Sequence, residues 1–427
     1  MTADGLRLAP FRGLRYAPGR VSGLAAVTSP PYDVVVRPDG LRELETADPY
    51  NIVRLILPQD ADPGVRHRRA AETLRRWRAE GVLVLDPAPA LYVYEQRTPE
   101  GVQRGLIGAL RLTPPSAGVV LPHEDVIEEV VEDRAALMRA TGTQPEPLLL
   151  SYRGGGAACD AATVIEDATG RTPLLATTTE DGVAHRLWAV TDPGRITAAT
   201  AALARQRALI ADGHHRWATY LRLRGEHPPG EGDMTASPWD YGLVLLVDTD
   251  RYPLRVHAIH RVLPGLPLDR ALDSVAGAFR TRPVPGPLPA ALERLASAPG
   301  PAFLLADGTE AGGFHLLDQP SSTLLRRVDA PEGPHGPLDA SVLHSALLDR
   351  VWGVPDSSSA IGYLHDARSA LGQAARRGGT AVLMRPVAEQ TVRDLAERGV
   401  TMPRKSTSFG PKPATGLVLR TLDTDRY

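Results

Sequence analysis

Apolar and polar positions alternate with two different periods along this chain, and the period changes repeatedly. From Val65 to Glu80 the apolar residues recur at helical spacing among arginines, and Gly81 closes the segment, which predicts a long amphipathic helix. Short apolar runs at Leu83–Leu85, Ala90–Glu95 and Leu106–Leu112 predict strands. Arg54 to Leu57 is a further short apolar run, following an Asp-Pro-Tyr turn. A helix is expected at Asp133–Thr141 and a strand at Leu148–Tyr152, then a helix from Ile196 to Arg207 and a strand at Ala208–Ala211. The segment Asp212-Gly213-His214-His215-Arg216 is the turn that follows, with a helix from Trp217 to Arg224. Tyr241–Asp248 and Leu254–Ile259 are expected to pair antiparallel around Asp250-Arg251. The remainder predicts helices near Asp339–Val351, Asp366–Arg377 and Ala388–Glu397, with strands at Thr380–Met384 and Gly416–Leu422.

This order of elements implies a mixed α/β protein (α+β, with mixed sheets). Pro-rich connectors at 264–267 and 283–289 suggest a soft boundary, giving a core over residues 1–265 and a C-terminal α/β region over 266–427. His227 to Pro238 reads as a loop. Gly154-Gly155-Gly156 lacks the Lys and Ser/Thr of a P-loop, so a surface turn is expected there.

Composition removes several function classes. The 427 residues carry a formal net charge of −2, which argues against a general nucleic-acid binder. The single cysteine, Cys159, excludes an internal disulfide framework and a Cys-based zinc cluster. The longest apolar runs fall far short of the roughly 20 residues that span a bilayer. Arg7 and Arg12 interrupt any N-terminal signal region. The expectation is a soluble cytoplasmic protein with no membrane or nucleic-acid partner. Only two of the basic residues are lysine, Lys405 and Lys412, and they sit seven positions apart near the C-terminus. Where arginine has replaced nearly every other cation, a retained ammonium marks a place that a planar fork does not suit, such as a phosphate or a proton in transfer. Asn51 is likewise the only asparagine.

The strongest local chemistry lies at Asp212–Arg216. A strand ends, Gly213 permits a tight turn, and a helix begins, so free backbone N–H groups and the positive helix end favour an anion. His214, His215 and Arg216 add donors suited to phosphate oxygens. The bland alternative is an Asp212 helix cap with surface histidines. Asp212 at the strand end could hold a metal or orient a hydroxyl, whereas Asp33, Glu124 and Asp133 read by themselves as caps or solvated acids, and only the family resemblance given below makes them candidates for a metal or a base. Arg54, Arg134 and Arg261, with Asn51, could clamp a substrate carboxylate. His257 and His260 with His214 and His215 leave a zinc site open as a minor alternative.

The chain resembles the domain of unknown function 1015 family, and the motifs run in order over nearly its whole length. They are Pro30-Pro31-Tyr32-Asp33-Val34, Pro49-Tyr50-Asn51-Ile52-Val53-Arg54, His123-Glu124, Glu132-Asp133-Arg134, Asp212–Arg216, His260-Arg261, Leu338-Asp339 with Leu343-His344, and Met402–Lys412. The resemblance implies a phosphate-binding core similar to the ParB/sulfiredoxin-like fold, related to free serine kinases. It implies a small-molecule kinase that phosphorylates the hydroxyl of a free amino acid, L-serine first, with pyrophosphate or a nucleotide as donor and Mg²⁺ as cofactor. On that reading Glu124, Asp212, Asp33 and Lys405 are catalytic, and Asp212 with Glu124 hold the metal. Gly213, His214, His215, Arg216, Lys412 and Ser406 bind phosphate, while Tyr32, Asn51, Arg54, Arg134, His260 and Arg261 bind substrate. A non-catalytic phospholigand-binding protein, or an enzyme of the same fold acting on another hydroxylated substrate, stays open beside it.

Overall fold

The computed structural model describes residues 5–35, 38–155, 160–228, 236–309, 313–326, 328, 332–333, 336–357 and 359–423. Gly156, Cys159 and positions 229–235 of the expected loop lie outside them. The chain is a mixed α/β protein in two compact units. The first is Met1–Pro122, Val126–Leu254 and Pro411–Tyr427, and the second is His123–Asp125 with Arg255–Gly410. The division thus falls ahead of position 265, and the last residues of the chain belong with the first unit.

The first unit is built on one mixed sheet. Its strand order is Val120–Leu121, Ala208–Asp212, Leu148–Tyr152, Tyr241–Asp248, Gly101–Arg111, Leu91–Thr98, Ala184–Val190 and Leu175–Thr178. Tyr241–Asp248 runs parallel to Leu148–Tyr152 and antiparallel to Gly101–Arg111. Both of its edges are therefore hydrogen-bonded, and its residues from Gly242 to Asp248 are buried on both faces of the sheet, which is why it reads as a continuous apolar run rather than an alternating one. The expected pairing of this strand with the segment after Asp250-Arg251 does not form. Arg255–His257 instead pairs with Ser408–Gly410 in the second unit. A smaller antiparallel sheet joins Leu83–Leu85, Gly13–Tyr16, Leu419–Thr421 and Thr143–Gln144, and so ties the C-terminus into the first unit.

The long helix Pro63–Ala79 follows from its sequence at both ends. Asp62 accepts from the N–H groups of Gly64 and Val65, and Pro63 fills the first helical position where its missing N–H costs nothing. His67, Ala70, Leu74 and Trp77 form its buried stripe. The short apolar run after the Asp-Pro-Tyr turn forms a helical turn over Val53–Ile56. Among the described residues, no helix is long and apolar enough to cross a membrane.

The second unit has a six-stranded sheet ordered Arg280–Val284, Phe314–Asp318, Phe303–Ala306, Thr380–Leu383, His260–Leu263 and Gly362–Leu364. Leu263, Phe303, Leu317, Leu343, Leu347 and Val382 pack into one of its cores. The expected helix Asp339–Val351 is a short α-helix over Asp339–Val342 that continues as a π-helix over Leu343–Val351.

Candidate active site

The turn at the centre of the first unit is shaped by its backbone. The strand Ala208–Asp212 shifts register against Leu148–Tyr152 between Ile210 and Asp212. Such a bulge re-aims the side chain that follows it. Gly213 then adopts φ 101°, and a Cβ there would lie 3.1 Å from the Arg216 guanidinium. Both the positive φ and the close guanidinium demand glycine. The helix His214–Glu226 begins at once, three residues before the expected start.

Around this turn the fold gathers charges from four distant parts of the sequence. Lys412 Nζ donates to Asp33 Oδ2 at 2.6 Å and to Asp212 Oδ1 at 2.5 Å. The other oxygen of Asp212 accepts from Arg216 Nη2 at 2.6 Å. Arg216 is 1% exposed, its Nη1 donates to the Pro147 carbonyl, and its Nε has no acceptor. Burial pulls the Lys412 pKa down, but Asp212 and Asp33 more than offset this and hold the ammonium well above its ordinary value. Lys412 is therefore a fixed positive charge and not a resting base. Burial likewise opposes the charge on Arg216, and Glu146, Asp212 and Asp33 outweigh it.

Two devices place the ammonium. Ser29 and Thr415 exchange backbone hydrogen bonds, bringing the Pro-Pro-Tyr-Asp turn beside the C-terminal segment. Gln96 and Gln103 face each other across neighbouring strands, and their amides donate to the carbonyls of Lys412 and Pro411. Tyr94 Oη accepts from the Ala414 N–H. Glu146, buried in the same cluster, accepts from the Tyr32 N–H at 2.9 Å and from Thr415 Oγ1 at 3.4 Å. Burial raises its pKa, while Arg216 draws it back. No motif or spacing in the sequence singles out Glu146, Gln96 or Gln103. Gln96 and Gln103 stand beside the charged residues Glu95, Arg97 and Arg104 in their strands, and Glu146 lies between two prolines.

The remaining candidates fall in several places. The Tyr32 ring lies under the guanidinium of Arg134 at 4.8 Å and of Arg216 at 6.0 Å. Arg134 also bonds Asp133 and the Ile56 carbonyl, so it braces the protein interior. Asn51 is fully buried, donates to the carbonyls of Ala26 and Thr28 and accepts from the Val53 N–H. It acts as a backbone staple, and Arg54 similarly donates to the Glu45 carbonyl. His215 Nε2 accepts from the Ile127 N–H. These bonds account for Asn51, Arg54 and Arg134 within the fold itself.

Glu124, Lys405, Ser406, His260 and Arg261 belong to the second unit. Glu124 Oε1 accepts from the N–H groups of Ser406 and Thr407 and from Thr407 Oγ1. The side chain of Lys405 is exposed, and its backbone sits at φ 59°. Arg261 is buried, with Nη2 donating to His344 Nε2 and to the Lys405 carbonyl, both at 3.0 Å. His260 Nδ1 accepts from the Met384 N–H.

The donor set was tested against a divalent metal. Among the described residues no three His, Cys, Asp or Glu side chains converge as a metal cluster, so the four-histidine zinc alternative finds no support. Asp212 and Glu124, expected to share a metal, lie in different units. The carboxylate that shares a cation with Asp212 is Asp33. A pair of carboxylates completed by water and phosphate oxygens suits Mg²⁺, which seldom uses an all-protein cage. The residues present fit that ion.

Among solved structures, free serine kinase in complex with AMP resembles the chain with a TM-score of 0.38 and 16% identity, covering 71% of this chain and 89% of that one. A conserved hypothetical protein from Pyrococcus furiosus gives 0.37 and 14%, covering 72% and 94%. SbnI with a C-terminal truncation, from Staphylococcus aureus, gives 0.35 and 12%, covering 75% and 90%. No curated protein matches the sequence. The sequence pattern of the family described as protein of unknown function (DUF1015) matches residues 8–340, well over half of the chain. With the Asp-Gly-His-His-Arg turn and the Pro-Pro-Tyr-Asp turn both inside that span, the chain belongs to the DUF1015 family.

Proposed function

We propose that the protein is a phosphotransferase acting on the hydroxyl of a free amino acid, L-serine first, with pyrophosphate or a nucleotide as donor. The observation that carries this reading is the ammonium of Lys412 held between Asp33 and Asp212 at the start of the helix His214–Glu226. Phosphoryl transfer asks a protein mainly for positioning and charge neutralisation. A compact ammonium, the first N–H groups of a helix and a glycine turn supply both for the oxygens of a phosphate. Arg216 does not clamp the donor in this reading. It is committed to Asp212 and Pro147, and it keeps Asp212 aimed.

In the reaction the acceptor oxygen forms a bond to phosphorus, and the bond from phosphorus to the donor's bridging oxygen breaks. The hydroxyl proton passes to a carboxylate, for which Asp33 and Asp212 are the candidates at this turn. Glu124, to which the resemblance gives the same task, is tested separately by Glu124→Gln. Mg²⁺ held by Asp33 and Asp212 would neutralise donor phosphate oxygens when bound.

The test is mass spectrometry of reactions pairing each hydroxylated amino acid with pyrophosphate, ATP or ADP in the presence of Mg²⁺. Formation of O-phosphoserine that depends on the protein and the donor is the expected result. Binding of phosphate compounds with no transferred phosphate in any pairing would establish a phospholigand-binding protein instead.

A further inference from the structure

The position of Lys412 has a consequence for how a metal enters. Its side chain is 17% exposed, and its ammonium contacts one oxygen from each of two carboxylates, at 2.6 and 2.5 Å. That is the place a divalent cation would take if Asp33 and Asp212 were its only protein ligands. The second oxygen of Asp212 is already engaged by Arg216, so Asp212 can bridge to only one further cation at a time through Oδ1. The Lys412 backbone is pinned by Gln96 and by its neighbours' bonds to Gln103 and Tyr94, so its side chain must move by rotation of its four-carbon stem.

We infer that Lys412 is the stand-in cation of a divalent-metal site formed by Asp33 and Asp212. Metal arriving with the phosphoryl donor takes over both carboxylates, and the displaced ammonium pairs with the donor's oxygens. This rests on the kinase reading for the identity of the donor, while the competition itself concerns only the protein and the metal. The exchange keeps each charge beside an opposite one. Without ligand, two carboxylates face one ammonium and Arg216. With ligand, a doubly charged cation replaces the ammonium at the carboxylates, and the ammonium meets the added negative charge of the phosphate. Either cation alone satisfies the aspartates, whereas both together, without an anion, would place excess positive charge beside buried Arg216. Metal and donor therefore bind with positive coupling, and an isolated divalent ion binds weakly. Lysine serves where arginine would not, since a guanidinium fork held by both aspartates would have to break several directed bonds to leave.

The experiment measures Mn²⁺ binding by electron paramagnetic resonance on the full-length protein, with no phosphate compound present. Removing the competing ammonium should tighten binding in Lys412→Met by about tenfold or more relative to the wild type, because the binding-competent fraction rises. The gain should vanish in Lys412→Met/Asp33→Asn. Mn²⁺ should also raise the melting temperature of Lys412→Met and not that of the double variant. If Lys412→Met does not accumulate in folded form, Lys412→Gln carries the same comparison. Unchanged or weaker Mn²⁺ affinity in the folded single variant overturns the inference, as does a gain that survives Asp33→Asn. Because turnover is not the readout, the two ideas fail separately. A protein that transfers no phosphate but shows the tenfold gain keeps the metal site and loses the kinase reading. One that transfers phosphate without the gain does the reverse.

Discussion

Two buried arginines, one in each unit, show how differently this chain handles a guanidinium out of water. Arg216 sits among carboxylates, bonded to Asp212 and in the field of Glu146 and Asp33, and its charge is reinforced. Arg261 is as deeply buried, yet its Nη2 meets an imidazole and a backbone carbonyl, and its ring contact is Tyr363 at 5.1 Å. Burial lowers its pKa to about 10, with Tyr363, Glu124 and Asp356 pulling it only part of the way back. A guanidinium held by neutral acceptors locks a loop, here the one carrying Lys405. A guanidinium inside a set of exchangeable charges can keep a reactive carboxylate aimed while another cation moves. The contrast predicts that the two arginines fail differently when removed.

Replacing Arg216 with Met leaves Asp212 and Glu146 buried with less compensation. The expected loss is about 3–5 kcal/mol of stability, the scale for breaking a buried pair from one side. Urea unfolding followed by circular dichroism measures it, and a loss no greater than that of Arg261→Met would erase the distinction. Asp212→Asn keeps the shape but removes the charge shared by Arg216 and Lys412, and should lower turnover by at least ~100-fold, the lower scale for a lost acid–base group. Steady-state transfer of phosphate to L-serine checks it. Arg261→Met strands only neutral acceptors, so about 1–3 kcal/mol is expected, with the Lys412 cluster and its metal affinity unaltered.

The histidines of the second unit sharpen the same comparison through pH. Burial and the nearby Arg261 hold both His260 and His344 at about 4, against an ordinary value of 6.5. At these two sites the unfolded chain binds more protons than the folded one between pH 6.5 and 4, so their contribution to stability falls as pH drops through that window and levels off below it. His344→Gln keeps an acceptor for Arg261 and removes one titration. The urea midpoint of this variant should fall less steeply from pH 6.5 to 4 than that of the wild type. A parallel fall would remove His344 from the account.

The smallest effect concerns the other lysine. Lys405 occupies φ 59°, a left-handed conformation that costs a side chain roughly 1 kcal/mol. Lys405→Gly should therefore be neutral or stabilising in thermal unfolding, while Lys412→Gly should not. A marked destabilisation of Lys405→Gly would show that the side chain contributes contacts beyond those its backbone explains.

Much of the scaffold was legible because it depends on local pattern. Leu83–Leu85, Leu148–Tyr152 and Tyr241–Asp248 form strands with the expected limits, since each is an apolar run bounded by turn residues. The element at Val53–Ile56 stayed unassigned because so short an apolar run fits a helical turn as well as a strand. The pairing of Arg255–His257 with Ser408–Gly410 joins segments some 150 residues apart, and no local signal encodes it. In the site, the rarity of lysine singled out Lys412, which the fold brings to Asp212, and equally Lys405, which it leaves exposed, and it said nothing of the partner Asp33. The same rarity argument applied to Asn51 led to a buried staple. Rarity shows that a residue resists replacement, and packing can impose that as firmly as chemistry. Glu146 was invisible because its neighbours, Tyr32, Arg134, Arg216 and Thr415, come together only in the folded chain.

On the kinase reading, Lys412 and the Asp212 turn meet the phosphoryl donor. The most direct measurement is a crystal structure of the protein with Mg²⁺ and pyrophosphate. It should show a phosphate within hydrogen-bond reach of Lys412 Nζ and of the N–H groups that open the helix at His214. Pyrophosphate bound elsewhere, with Lys412 still bridging Asp33 and Asp212, would contradict it.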